Sequence, residues 1–312
     1  MTTPDRTRTL SLLTVPVVLV LWASAFVAIR HLGPSVSPGA LSLGRLLVAS
    51  VVLGAMMLTR PRTWPSRRDL PLLVTCGVLW FGVYNITLNA AERRIDAGTA
   101  AMLVQIGPIV VALLAAVFLG EQLTRWLVAG AVVGFAGVVV IGLAKSGHAG
   151  GDLGGVLLAV VAALTYGAGV VTQKPLLSRL PGLEVTFLAC VIGAVVCLPF
   201  TPQLVDTVRH GSATTLLLVA YLGVFPTAVA FLLWAFALSR TNAGTLALTT
   251  FLVPVIATGL GWLFLDELPP AGAYVGGALC VVGVVLTRRR PRPVRRGADQ
   301  AASAPDVVPS GS

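Results

Sequence analysis

The chain has 312 residues, 56% of them hydrophobic and 11% charged, with a net charge of +10 and a mean hydropathy of +0.91. Soluble domains carry about 25% charged residues, so this composition excludes a soluble enzyme, a DNA-binding domain and a secreted disulfide scaffold. The apolar stretches are continuous rather than alternating, which also excludes an outer-membrane barrel.

In chain order, windows free of Asp, Glu, Lys and Arg cover 9–29, 70–91, 97–120, 126–144, 153–173, 185–205, 210–239, 241–265 and 268–287. A further stretch, 31–59, is broken only by Arg45. A spanning helix needs about 20 apolar residues, so the pattern predicts an all-α membrane protein of ten transmembrane helices. The first window follows Arg6 and Arg8 and contains Ala23-Ser24-Ala25, which resembles a signal-peptidase site. It is too long for a signal peptide and nine more windows follow, so it reads as an uncleaved first helix. Cys76, Cys190, Cys197 and Cys280 all lie inside windows and read as buried free thiols. Six arginines follow the last window, at 288, 289, 290, 292, 295 and 296; they read as a topology anchor rather than a nucleic-acid patch. The Ala/Ser/Pro-rich residues after them are expected to be disordered.

With both termini in the cytoplasm, cytoplasmic segments carry 16 of the 22 basic residues and external loops carry five, Arg45 being the last. This positive-inside bias predicts a cytoplasmic-membrane protein with both ends inside. His31, His148 and His210 all fall in external loops and none can be matched to an intramembrane carboxylate.

A shift of 146 residues overlays the chain on itself. Residues 94–121 align with 240–267 without a gap, with ten of 28 positions identical, including Arg94/Arg240, Gly98/Gly244, Pro108/Pro254 and Glu121/Glu267. Gly77/Gly223, Gly130/Gly276 and Gly137/Gly283 share the register. Apolar composition alone does not bring Arg, Pro and Glu into line. The repeat unit holds five spans, an odd number, so the second copy enters the membrane from the opposite side. The expected organisation is an N-terminal tail (1–9), a first repeat (10–146), an inverted second repeat (150–287) and a basic tail (288–312). Inverted repeats are typical of secondary transporters, with the substrate site near the midplane between the halves.

The segment Trp22-Ala-Ser-Ala-Phe26, Arg45 after Pro38, and Pro108 with the Phe-Leu-Gly-Glu121 ending resemble the EamA family of the drug/metabolite transporter superfamily. Pro254 and Phe-Leu-Asp-Glu267 repeat the pattern; the second copy departs at Tyr166-Gly-Ala-Gly-Val170, which stands where the Trp22 motif would be. The resemblance covers residues 10–290. It implies ten helices, both termini inside, and transport of small metabolites, often export of amino acids or related compounds.

Polar and aromatic residues deep within spans are the candidate pocket, because a polar group in hydrocarbon is costly unless paired or facing water. These are Trp22, Ser24, Tyr84, Asn85, Asn89, Gln105, Tyr166, Thr227, Trp234 and Thr250. Each also has a plainer reading as a helix–helix hydrogen bond, worth about 0.6 kcal/mol on average. Pro108, Pro226 and Pro254 fall within spans and are expected to kink them, either as gates or as static bends. Arg45 is the one intramembrane charge. Three readings are open for it: a structural pair with Glu92 or Asp96, a side chain snorkelling outward, or a ligand for a substrate carboxylate.

There is no HExxH motif, no P-loop and no mid-span carboxylate, so no catalytic residue, metal or cofactor is expected, and the chain does not read as an enzyme. The expected function is a secondary transporter working by alternating access on neutral or zwitterionic metabolites; with no mid-span carboxylate to shuttle a proton, facilitated diffusion stands open beside proton coupling. Drug or cation efflux by the same fold is the alternative, and a channel or scaffold is less favoured. The expected partners are a small-molecule substrate and the bilayer, with no nucleic acid, and the protein is read as a bacterial monomer or homodimer.

Overall fold

The computed structural model describes residues 4–60, 63–95, 97–145, 152–265 and 268–289. Glu267, Asp96, His148 and the basic tail beyond residue 289 lie outside the described residues. Among those residues there are helices and turns and no strand. Nine helical stretches among the described residues are long and apolar enough to cross a membrane, and we number them as spans in chain order: Thr14–Leu32, Pro38–Met57, Leu70–Ala91, Met102–Leu119, Arg125–Ala144, Leu153–Leu176, Gly182–His210, Ala213–Leu238 and Ala243–Phe264. The tenth predicted span is the apolar helix Ala271–Thr287; its 17 residues fall short of that length. Large apolar side chains face outward along the bundle, Val117 at 74% and Leu217 at 70% exposure. In water such a surface would aggregate; in lipid it is the ordinary exterior.

Local chemistry sets the helix ends. Ser37 caps span 2 by accepting from the Ala40 N–H, with Pro38 at the first helical position. Asp152 caps span 6 through the Gly154 N–H, and Ser212 caps span 8 through that of Thr215. Gly120, at φ 67°, closes span 4 in the left-handed conformation that glycine adopts without a Cβ penalty. Span 7 departs from its predicted window of 185–205. Its α-helix ends at Cys197, a 3₁₀ turn follows over Leu198–Phe200, and Thr201–His210 forms a separate helix. Pro199 and Pro202 withhold the N–H groups that would carry the α-ladder through.

Irregularities recur at the 146-residue spacing. Span 3 is π-helical over Gly77–Val83 and span 8 over Gly223–Val229. Span 4 is interrupted between Ala97–Val104 and Gly107–Leu119, and span 9 turns 3₁₀ over Thr249–Leu252 before Val253–Leu265. Pro108 and Pro254 therefore occupy the first turn of fresh helical segments, where proline is tolerated. Of the three predicted kinks, only Pro226 sits inside a continuous helical segment.

Span 5 and the tenth helix pack through glycine. A Cβ on Gly130 would sit 2.5 Å from the Gly283 carbonyl, and one on Gly137 would sit 2.5 Å from the Gly276 carbonyl. Between these contacts, the Cys280 thiol meets the Gly134 carbonyl at 3.5 Å, a contact between residues 146 apart. The early part of each helix thus meets the late part of the other, so the two run antiparallel. The contacts are reciprocal, as in an isologous pair. All four cysteines are free and buried.

Candidate functional site

The site is built where the helices are irregular. In span 3 the π-turn relaxes the backbone ladder, and the Asn85 amide donates to the Phe81 carbonyl at 2.8 Å and to that of Trp80 at 3.4 Å. In span 8, Pro226 has no N–H for the Leu222 carbonyl. The Thr227 hydroxyl donates to that carbonyl instead, at 2.7 Å. Trp22 of span 1 donates its indole N–H to the Pro226 carbonyl at 3.2 Å. Thr227 Oγ1 also accepts from Arg45 Nε of span 2 at 3.0 Å. In the interruption of span 4, Gln105 Nε2 donates to the Thr250 carbonyl at 2.7 Å. The breaks in spans 4 and 9 therefore touch directly.

These elements enclose an inner chamber of about 90 Å³, lined by Trp22, Arg45, Trp80, Tyr84, Asn85, Gln105, Tyr166, Phe231 and Thr250 together with apolar side chains. Its walls are a continuous aromatic stack: Trp80 lies 4.9 Å from Phe231 and 5.6 Å from Tyr166, and Tyr84 lies 6.0 Å from Tyr166, between ring centroids. Phe26, Ile29, Val104, Gln105 and Val253 line both this chamber and an outer cavity of about 980 Å³. The outer cavity reaches Gly33, Ile95 and Pro269, which lie at one end of the bundle.

Of the ten predicted pocket residues, Trp22, Tyr84, Asn85, Gln105, Tyr166 and Thr250 line the inner chamber and Asn89 lines the outer cavity. Three line neither. Ser24 turns away, sharing a 2.6 Å hydrogen bond with the Tyr221 hydroxyl while donating to the Leu21 carbonyl. Thr227 is consumed by Leu222 and Arg45 behind the wall. Trp234 forms a second aromatic layer, 4.9 Å from Trp22 and 6.2 Å from Trp80. Pro254 lines the outer cavity; Pro108 and Pro226 are buried in the framework. Arg45 does not snorkel: it is 7% exposed and faces the inner chamber. Among the described residues no carboxylate lies within ion-pair distance of it, so the pair with Glu92 is not formed.

Sequence reasoning missed Phe231 and Glu92. Phe231 stands three residues before Trp234, a helical spacing that already marked the face. Glu92, one residue past span 3, enters the sequence reading only as a partner for Arg45, yet it lines the outer cavity with Oε1 buried and unpartnered. Burial pushes its carboxyl up to about 7, against the opposing pull of Arg45 and Arg30.

The other end of the bundle is tied shut by charged side chains on backbone groups. Glu121, after span 4, accepts from the N–H groups of Ala243 and Gly244 at 2.6 and 3.0 Å, capping the start of span 9. Lys174 donates to the Leu238 and Thr241 carbonyls at the end of span 8, at 2.5 and 2.6 Å. Asp69 and Arg179 pair at 2.7 Å between the halves. The Ser66 hydroxyl and N–H, aided by Arg179, hold the Asp69 carboxyl below its ordinary range.

A chamber reached from one end of an apolar helical bundle, with polar groups gathered at interrupted helices, is the build of a multi-pass membrane transporter. The chain belongs to the EamA-like transporter family, of the drug/metabolite transporter superfamily, which matches residues 9–143 and again 153–289. A protein of Streptantibioticus cattleyicolor named "Probable terminal-alkyne amino-acid exporter" is 40% identical over 284 residues, covering 90% of this chain and 94% of that protein. The pseudopaline exporter CntI of Pseudomonas aeruginosa is 31% identical over 231 residues, covering 72% of this chain and 77% of its own. A solved crystal structure shares the fold with a TM-score of 0.74 at 23% identity, covering 89% of this chain and 96% of that one.

Proposed function

We propose that this transporter exports amino acids with short apolar side chains across the cytoplasmic membrane by alternating access between two inverted five-helix repeats. The observation that carries this is the Gln105–Thr250 contact. It joins the interrupted helices of the two halves at the inner end of the outer cavity, where a substrate would bridge them. The reciprocal antiparallel packing of span 5 on the tenth helix supports the inversion. The positive-inside distribution supports reading the open end as external, which would make this an outward-open state with its cytoplasmic end tied by Glu121, Lys174 and Asp69. The aromatic walls suit an apolar side chain, and the similarity to an amino-acid exporter supports that class of cargo.

The test is counterflow of L-propargylglycine and L-leucine into proteoliposomes preloaded with the same compound. Saturable counterflow is expected from the native protein. Gln105→Leu should reduce it about tenfold or more at unchanged protein level, because a buried carbonyl loses its donor at the point where the halves meet. Linear, non-saturating flux would indicate a channel. Counterflow of organic cations but not amino acids would favour the drug-efflux reading.

A further inference from the structure

We infer that Arg45 is the carboxylate-binding residue of the inner chamber, an assignment that rests on the transporter reading above and names the chemistry by which the cargo is held. Arg45 is more than nine-tenths buried and lies against the chamber. Its Nε is committed to Thr227, which fixes the plane of the guanidinium. Neither terminal amino group has a hydrogen-bond partner among the described residues. A guanidinium presents its donors as a rigid fork that matches a carboxylate bidentately. A buried cation with four of its five N–H donors unused is costly. An arriving carboxylate relieves the cost and is rewarded by the low local dielectric.

The fork is aimed by a chain of causes that begins in sequence. Pro226 denies the Leu222 carbonyl an N–H four residues on. The Thr227 hydroxyl donates to that carbonyl and keeps a lone pair for Arg45 Nε. The rest of the chamber specifies the rest of the ligand. Trp22, Trp80, Tyr84 and Tyr166 provide apolar walls. Asn85 spends both amide N–H groups and Gln105 one of its two on backbone carbonyls, and each side-chain oxygen remains a neutral acceptor. An ammonium group thus meets only dipoles, while a carboxylate meets a full charge. Recognition is therefore dominated by the carboxylate.

The experiment measures binding by intrinsic tryptophan fluorescence of the purified protein with three probes: L-leucine, L-leucinamide and 4-methylpentanoate. The native protein should bind 4-methylpentanoate within a few-fold of leucine and leucinamide about 10- to 100-fold more weakly, the range of one charge-assisted pair. In Arg45→Gln the preference for acid over amide should vanish while the melting temperature holds. Arg45→Lys should retain the preference in reduced form, and it stands in if the glutamine variant fails to fold. An unchanged acid-to-amide ratio in either variant overturns the assignment. So does parallel loss of both ligands, or a native protein that binds none of the three. Leucine counterflow that persists with an unchanged ratio in Arg45→Gln would sink the Arg45 role and leave the transport reading standing. Arg45-dependent binding of 4-methylpentanoate without leucine counterflow would do the reverse.

Discussion

Glu92 and Arg45 show how much a single side chain's surroundings decide. Both are ionisable, both face the cavity system, and they make no ion pair with each other. Arg45 stays buried because Thr227 holds it, whereas the Glu92 carboxyl yields to burial by rising to about 7. The consequence for stability has a definite sign. A carboxyl whose folded value is raised binds its proton more tightly in the folded state. Its contribution is therefore fully present below the ordinary carboxylate range, near 4.3, and is lost as pH rises towards 7. The melting temperature of the purified protein should fall between about pH 4.5 and 7, and Glu92→Gln should flatten that part of the profile. An identical profile in the variant would place the titration elsewhere. Glu92 also bears on energetics. The sequence contains no mid-span carboxylate and leaves uncoupled movement open beside proton coupling; a carboxyl that titrates near neutrality in the cavity makes the pH dependence of counterflow the direct check between the two.

At the scale of elements, helix ends and helix breaks gather the polar contacts between the halves. Glu121, which the sequence marks only as the repeated end of a span, is given a partner by the structure. It caps span 9, a helix of the other half, through two N–H groups. Hydrogen bonds to a charged group contribute about 1.5–3 kcal/mol, so Glu121→Gln should weaken the closed end by an amount of that order. The expected result is a lower melting temperature together with faster thiol labelling of a cysteine introduced at Ala243. Faster labelling without any loss of stability would mean that the cap holds a conformation rather than the fold. The breaks were less legible. The sequence places three prolines within spans and predicts kinks. It does not say that spans 3 and 8 turn π-helical, because that turn depends on neighbours such as Asn85 and Thr227 absorbing the freed carbonyls.

For the whole molecule, the arrangement of ends is the decisive quantity. Glu121 contacts the start of span 9, whose other end lies about 30 Å away at 1.5 Å per residue. The loop holding Gln122 and the loop holding Leu268 therefore lie at opposite ends of the bundle. Single cysteines at these two exposed positions should label from opposite sides of the membrane with an impermeant maleimide, Leu268→Cys from outside and Gln122→Cys only after permeabilisation. Labelling of both from one side would remove the basis for alternating access. The glycine contacts between span 5 and the tenth helix bring the two halves together along a smooth seam. Small residues let two backbones meet, so the halves can share a seam without interlocking side chains.

Composition and periodicity were enough to reach an all-α, multi-pass membrane protein with a duplicated pattern. Long uncharged windows have one stable outcome in a bilayer, and the backbone must satisfy itself within each helix. Six of the ten candidate side chains were found at the inner chamber for a related reason: polar groups in hydrocarbon are placed only where something meets them. The direction in which each side chain turns was not legible. Ser24, Thr227 and Trp234 satisfy the same compositional rule as their neighbours, yet bond or pack behind the wall. Arg45 could pair, snorkel or bind as far as spacing went. Its commitment to Thr227 needed span 2 to be packed against span 8, a contact 182 residues apart in the chain that no local pattern encodes.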